Sequence, residues 1–209
     1  SLVIGAYSGV PERIDSSAEM IASASPHDRV TLRVADVTSW TPPPDTDVVV
    51  SNATLQWVPT HRSLLACWAA ALPAGGWLAF QVPGNFDSPS HSLMRLLAES
   101  PRWAASLAGV LRHDDAVGTP SEYAEILLAA GLVVDAWATT YVHVLHGPDP
   151  VLEWVRGTAL RPVLAALPSA SYPQFEEEFA AALRAAYPAT EHGTLFPFRR
   201  IFAVAHRPA

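Results

Sequence analysis

Lysine is absent from this chain: all 13 cationic residues among its 209 are arginine. That excludes a lysine Schiff base and makes any anion site an arginine or backbone site. Cysteine is nearly absent. Cys67 alone allows neither an intramolecular disulfide nor a cysteine metal cluster. Its place in Leu64-Leu65-Ala66-Cys67-Trp68 predicts a buried small hydrophobe rather than a nucleophile. No apolar run reaches the roughly 20 residues that span a bilayer, and no charged n-region with a cleavage site opens the chain. A soluble cytoplasmic protein is the expectation. Positive charge is scarce, and the net charge of −7 argues against a nucleic-acid partner or an anionic membrane surface. His113, His143, His146 and His192 show no tight ligand spacing, so no catalytic metal is expected.

Half of the residues are hydrophobic, enough for a sizeable core in one domain, or one domain with a cap. From about residue 10, strand-like and helix-like segments alternate. Arg13-Ile14-Asp15-Ser16-Ser17 reads as a strand ending at an acid, with Ser16 or Ser17 capping the next helix. Val30–Asp36, Asp47–Ser51 and Trp77–Val82 read as further strands, and His61–Leu72 as a helix. This rhythm predicts βαβ units and a parallel sheet. Beyond it come a polar loop at Asn85–His91, helices over Ser92–Ala98 and Tyr123–Ala130, and a long strand at Val133–Leu145. Residues 150–187 read as helical with breaks near Pro162, Pro168 and Pro173, before a final strand at Ile201–Ala205.

The stretch Val48–Val58 concentrates the chemistry. A β-branched run stops at Ser51-Asn52, which reads as the carboxyl end of a buried parallel strand, the edge where open α/β sheets bind ligands. Asp15 and Asp36 end the two preceding strands. A carboxylate there can accept hydrogen bonds from both hydroxyls of a ribose, although aspartate also caps turns in the same position. His91, in Asn85–His91, can donate to a carboxylate or act as a base, or simply sit near a helix start. Arg200, beside Phe196-Pro197-Phe198, and Arg161, in Leu160-Arg161-Pro162, offer forks for planar carboxylates; a solvated strand end is the plainer account of Arg200. Tyr141 and His143 alternate on one strand face and can complete a polar pocket. Trp137 and Trp154 read as packing residues.

Several segments together resemble the trans-aconitate 2-methyltransferase family, within the class I S-adenosylmethionine-dependent methyltransferases, over about residues 13–207. They are Ile14-Asp15-Ser16-Ser17, Ala35-Asp36-Val37, Ser51-Asn52-Ala53-x-Leu55-Gln56-Trp57-x-Pro59-x-His61, Pro83-x-Asn85, Tyr141-x-His143, Leu160-Arg161-Pro162 and Arg200-x-Phe202. The resemblance implies an α/β, Rossmann-like sheet with helices on both faces and a helical lid at about 148–190, before the last strand. It implies S-adenosylmethionine as cofactor, held by Asp15 and Ser16 at the ribose, Asp36 and Val37 at the adenine, and Asn52 at the methionine end. The carboxylates of a small polycarboxylic acid then fall to His91, Tyr141, His143, Arg161 and Arg200, and no residue need serve as general base. The family also carries a glycine-rich Asp-x-Gly-x-Gly-x-Gly loop roughly twenty residues before the position of Asp15. That pattern is missing from Ser1–Glu12, so the expectation is that N-terminal residues precede this sequence. Two other readings stay open: a methyltransferase for an acyl-carrier-bound diacid, a carbon or a phenol, and a non-catalytic Rossmann-like binding module.

Overall fold

A computed structural model of the chain describes residues 2–7, 11–24 and 30–209. In chain order the elements are β1 (Leu2–Tyr7), β2 (Glu12–Asp15), α1 (Ala18–Ser23), β3 (Thr31–Val34), β4 (Thr46–Asn52), α2 (His61–Ala71) and β5 (Trp77–Pro83). Then follow α3 (Pro89–Ala98), α4 (Ala104–Leu107), α5 (Pro120–Ala129), β6 (Val133–Leu145), α6 (Pro150–Arg156), α7 (Arg161–Ala166), α8 (Tyr172–Ala186), β7 (Ala189–Thr190) and β8 (Gly193–His206). The strands form an eight-stranded sheet in the order β3-β2-β1-β4-β5-β8-β6, with β7 paired to β8.

The sheet is mixed, which corrects the expectation of parallel pairing throughout. β2 pairs with β3, and β4 with β5, in parallel. β1 is antiparallel to both β2 and β4, and β8 is antiparallel to β5. The short separation between Tyr7 and Glu12 explains β1, because a parallel crossover takes about a dozen residues or more. In register, Leu2 faces Asn52 and Tyr7 faces Thr46. β1 therefore begins, rather than ends, at the sheet edge that carries Asn52.

The chain divides into two compact units. The first comprises Ser1–Pro83, Val117–Thr139 and Arg200–Ala209. Its core gathers Val49, Leu78, Phe80 and Val82 from the sheet with Leu65 and Trp68 of α2 and Tyr123 and Leu127 of α5. α2 buries His61, Leu64, Leu65, Trp68 and Ala69, which fall on one stripe at 100° per residue. Cys67 lies off that stripe and is exposed, so the expectation of a buried cysteine fails on helical phase. Trp68 donates from Nε1 to the Trp40 carbonyl at 3.1 Å, which satisfies its one polar atom in the core. A capping box of Thr119 and Glu122 starts α5. Gly131, at φ 80°, ends it, with Leu132 N–H returning to the Leu127 carbonyl.

The second unit comprises Gly84–Ala116 and Thr140–Arg199. Phe175, Phe179 and Leu183 of α8 pack with Leu160, Val163 and Phe196 into its own core. Prolines stand in the first turns of α3, α6, α7 and α8, where the missing N–H costs nothing. Pro162 and Pro173 thus start helices within the 150–187 segment, and Pro168 follows α7. Among the described residues no helix is long and apolar enough to cross a membrane.

Candidate functional site

In the first unit the carboxyl ends of β2 and β3 and the loop after β4 enclose a cavity of about 260 Å³. Asp15, Ser16, Asp36, Val37, Thr38, Thr54, Trp57 and Val58 line it, with Ile14, Ala35 and Pro59. Four of the five residues expected at the cofactor are therefore brought together. Asp15 is only 4% exposed, and its Oδ1 accepts the Ser17 N–H at 2.9 Å. Ser17, not Ser16, caps α1, accepting from Met20 N–H. Asp36 is exposed and accepts the Thr38 N–H at 2.9 Å. That bond, with the Thr38 hydroxyl, holds its carboxyl below the usual range, so it is ionised at neutral pH. Both aspartates thus cap turns and line the cavity together; the two readings of them are not exclusive.

Asn52 ends β4 exposed, outside the lining of this cavity. The next residue is unusual. Ala53 has φ 50°, a left-handed conformation that a residue with a Cβ rarely takes. Its N–H donates to the Gln81 carbonyl at 2.9 Å, and its carbonyl accepts from Gln56 Nε2 at 2.7 Å. Gln56 is itself buried, so the turn is clamped from inside. Trp57, 51% exposed, and Val58 then supply an apolar wall. Trp57 stands in the Ser51–His61 motif with no role attached to it there, and Thr38, Thr54 and Val58 carry no sequence signal of their own.

The donor set suits a nucleoside: a buried carboxylate for vicinal hydroxyls, a second carboxylate for an amino group, and apolar walls for a flat base. The cavity volume lies just below the roughly 300 Å³ at which small-molecule sites begin, which matches part of a cofactor rather than all of it. At the edge beside Asn52 the chain presents the start of β1.

Arg200 also belongs to the first unit. It stands on β8 opposite Pro83 and donates to Gln81 Oε1 at 3.0 Å, which pre-orients the guanidinium.

The second unit holds the other residues expected at an acceptor. His91 Nδ1 lies 3.1 Å from Ser90 Oγ, which is 2.9 Å from Ser88 Oγ, and Ser88 donates to the Asn85 carbonyl at 2.6 Å. Only one proton order satisfies every contact: His91 Nδ1–H to Ser90, Ser90 to Ser88, Ser88 to Asn85. Nε2 is then an acceptor, and donation from it to a carboxylate requires Ser90 to turn its proton back to His91. Burial, reinforced by Arg95 and opposed by Asp87, lowers the His91 pKa to about 4, so the ring is neutral at pH 7. Asn85 spends both side-chain groups on the Arg199 backbone, at 3.0 and 2.7 Å. His143 packs on Trp154, ring centroids 4.7 Å apart, and on Phe198. Tyr141 is 44% exposed, and Arg161 is exposed at the start of α7. Among the described residues no hydrogen bond or ion pair joins His91, Tyr141, His143 and Arg161, and no group of three or more side chains could hold a metal.

A methyltransferase-domain family model matches residues 12–80. The trans-aconitate 2-methyltransferase of Streptomyces avermitilis is 56% identical over 203 residues, covering 94% of this chain and 76% of that protein. The protein of the same name from Streptomyces coelicolor is 55% identical over 207 residues, 98% of this chain and 68% of that one. Among solved structures, the YcgJ protein of Bacillus subtilis aligns with a TM-score of 0.58 at 14% identity, over 94% of this chain and 81% of that one. A candidate methyltransferase from Bacillus halodurans C-125 aligns with a TM-score of 0.54, also at 14% identity, over 94% and 82%. These two speak for the fold alone, that of the class I methyltransferases. The relatives speak for descent: the chain belongs to the trans-aconitate 2-methyltransferase family.

Proposed function

We propose that the chain transfers a methyl group from S-adenosylmethionine to a carboxylate of trans-aconitate or a similar small polycarboxylic acid, giving a methyl ester. The observation that carries this reading is the cavity that gathers Asp15, Ser16, Asp36 and Val37 at one sheet edge, in a chain so close to enzymes of that name. Asp15 would hold the ribose hydroxyls, Asp36 and Val37 the adenine, and Asn52 the methionine end. When bound, S-adenosylmethionine would supply an electrophilic methyl carbon on a sulfonium whose thioether is the leaving group, and a carboxylate acceptor would need no proton removed.

The chain therefore needs no general base, since carboxylic acids with pKa near 4 are already ionised at pH 7. Its residues have to bind and orient. Arg200, held by Gln81, suits a planar carboxylate, and Arg161 offers a second fork. His91, Tyr141 and His143 complete the proposed acceptor set, and their task is to align the acceptor rather than to move a proton. Methyl transfer assayed across trans-aconitate, cis-aconitate, citrate and isocitrate tests this. The expected result is methyl ester from trans-aconitate in preference to the hydroxy acids. Turnover of a phenol with none of these acids would sink the carboxylate reading.

A further inference from the structure

His61 closes the Ser51–His61 motif but is not among the residues lining the cavity above. It is buried at 1% exposure, and both of its ring nitrogens are engaged. The Val58 carbonyl accepts twice from this one residue: from the His61 backbone N–H at 3.0 Å and from Nδ1 at 2.9 Å. A carbonyl can only accept, so Nδ1 carries a proton, and in the neutral ring that leaves Nε2 bare. Tyr123 Oη, 3.0 Å from Nε2, is then the donor there, and its oxygen accepts the Gly118 N–H at 2.9 Å. A Cβ at Gly118 would meet the Tyr123 ring at 3.2 Å, so a glycine is what lets the N–H come this close. Every proton in the relay Tyr123 to His61 to Val58 has a fixed direction, and all of its members lie in the first unit.

Val58 and its neighbours Trp57 and Pro59 are one wall of the cavity above. On the reading that this cavity takes the cofactor, we propose that His61 and Tyr123 are positioning residues. They tie residues 57–59 to α5, across 62 positions of sequence, and so set cofactor affinity without touching the cofactor. Removing the phenol oxygen leaves Nε2 and the Gly118 N–H without that bond and frees the wall to shift.

The test uses S-adenosylhomocysteine calorimetry and ¹⁵N NMR of the histidine rings. NMR of the wild-type chain is expected to show His61 neutral with the proton on Nδ1; a proton on Nε2 overturns the relay. Tyr123→Phe is expected to weaken S-adenosylhomocysteine about five- to tenfold, with kcat at saturating cofactor and the acceptor KM within about twofold. Leu183→Ala, in the core of the second unit, serves as the control for lost stability and is expected to bind as the wild type does. His61→Gln, which keeps a donor for Val58, is expected to recover most of what His61→Ala loses. Unchanged affinity in Tyr123→Phe, or equal weakening in Leu183→Ala, overturns the positioning role. A wild-type chain that binds no S-adenosylhomocysteine overturns the cofactor reading and this role with it, and the NMR signature tells that failure from a failure of the relay.

Discussion

The two units hold their polar side chains by different means. In the first, Asp15 and Asp36 are each fixed by an N–H two residues ahead, at Ser17 and Thr38. Their placement is a property of the strand end itself. In the second, His143 is held by rings at Trp154 and Phe198, and His91 by two serines and burial, while Tyr141 and Arg161 project from the surface. Local backbone chemistry therefore converges the proposed cofactor residues, whereas packing between remote segments places the acceptor residues. The largest expected effect tests the first half of this contrast. If Asp15 holds the ribose as proposed, Asp15→Ala would remove two charge-assisted bonds, about 3–6 kcal/mol in all, so S-adenosylhomocysteine binding should fall by at least 10²-fold. Asp15→Asn keeps an acceptor for Ser17 and separates cap from ligand. If both variants bind as the wild type does in calorimetry, Asp15 is a cap and nothing more.

The next effect belongs to His91 and tests the second half. Its folded pKa of about 4 lies below the unfolded value near 6.5, so between these the unfolded chain binds more protons. Stability is then complete above pH 6.5 and is lost as pH falls toward 4, by about 3 kcal/mol at most. His91→Gln cannot titrate, and its urea unfolding should lack this acid limb. A variant with the same slope between pH 6.5 and 4 as the wild type would place the pH sensitivity elsewhere. The same substitution should leave kcat nearly unchanged at pH 7.5, because no base is needed.

This contrast also explains what could be read in advance. The strands from Glu12 to Pro83, the helix starting at His61 and the stop at Gly131 were legible, since β-branched runs, strand-end acids and cap residues act over a few positions. Asp15 and Asp36 were legible as a pair for the same reason. The antiparallel β1 was not, because its direction follows from a short connection to β2 and not from composition. Nor was the exposure of Cys67, which depends on which face of α2 the core takes. The clamp by Gln56 on Ala53 and the Tyr123–His61 bond were out of reach for a deeper reason. Nothing in the letters Gln or His says which carbonyl a side chain will find.

Arg200 sits between the two cases, a first-unit side chain proposed for the acceptor. Arg200→Lys keeps the charge and loses the fork, so acceptor KM should rise about tenfold with kcat changed less, and Arg200→Ala should cost about 2 kcal/mol or somewhat more. Cofactor affinity should stay within twofold in both. Equal loss of cofactor and acceptor affinity would mean instead that Arg200 serves the fold through Gln81.

The smallest effect falls at Ala53, where local chemistry and remote packing meet. A left-handed alanine costs about 1–2 kcal/mol relative to an ordinary conformation, and glycine would remove that cost. Glycine also gives the unfolded chain more freedom, worth about 0.5–1 kcal/mol in the opposite direction. Ala53→Gly should therefore stabilise the chain by no more than about 1.5 kcal/mol in urea unfolding. Gln56→Ala isolates the other side of the balance, since it removes the bond that holds the Ala53 carbonyl. If the clamp is what maintains the strain, Gln56→Ala should destabilise the chain, and Ala53→Gly should recover part of that loss. A double variant whose stability is the plain sum of the two singles would show that the turn keeps its shape through the Ala53 N–H bond to Gln81 alone.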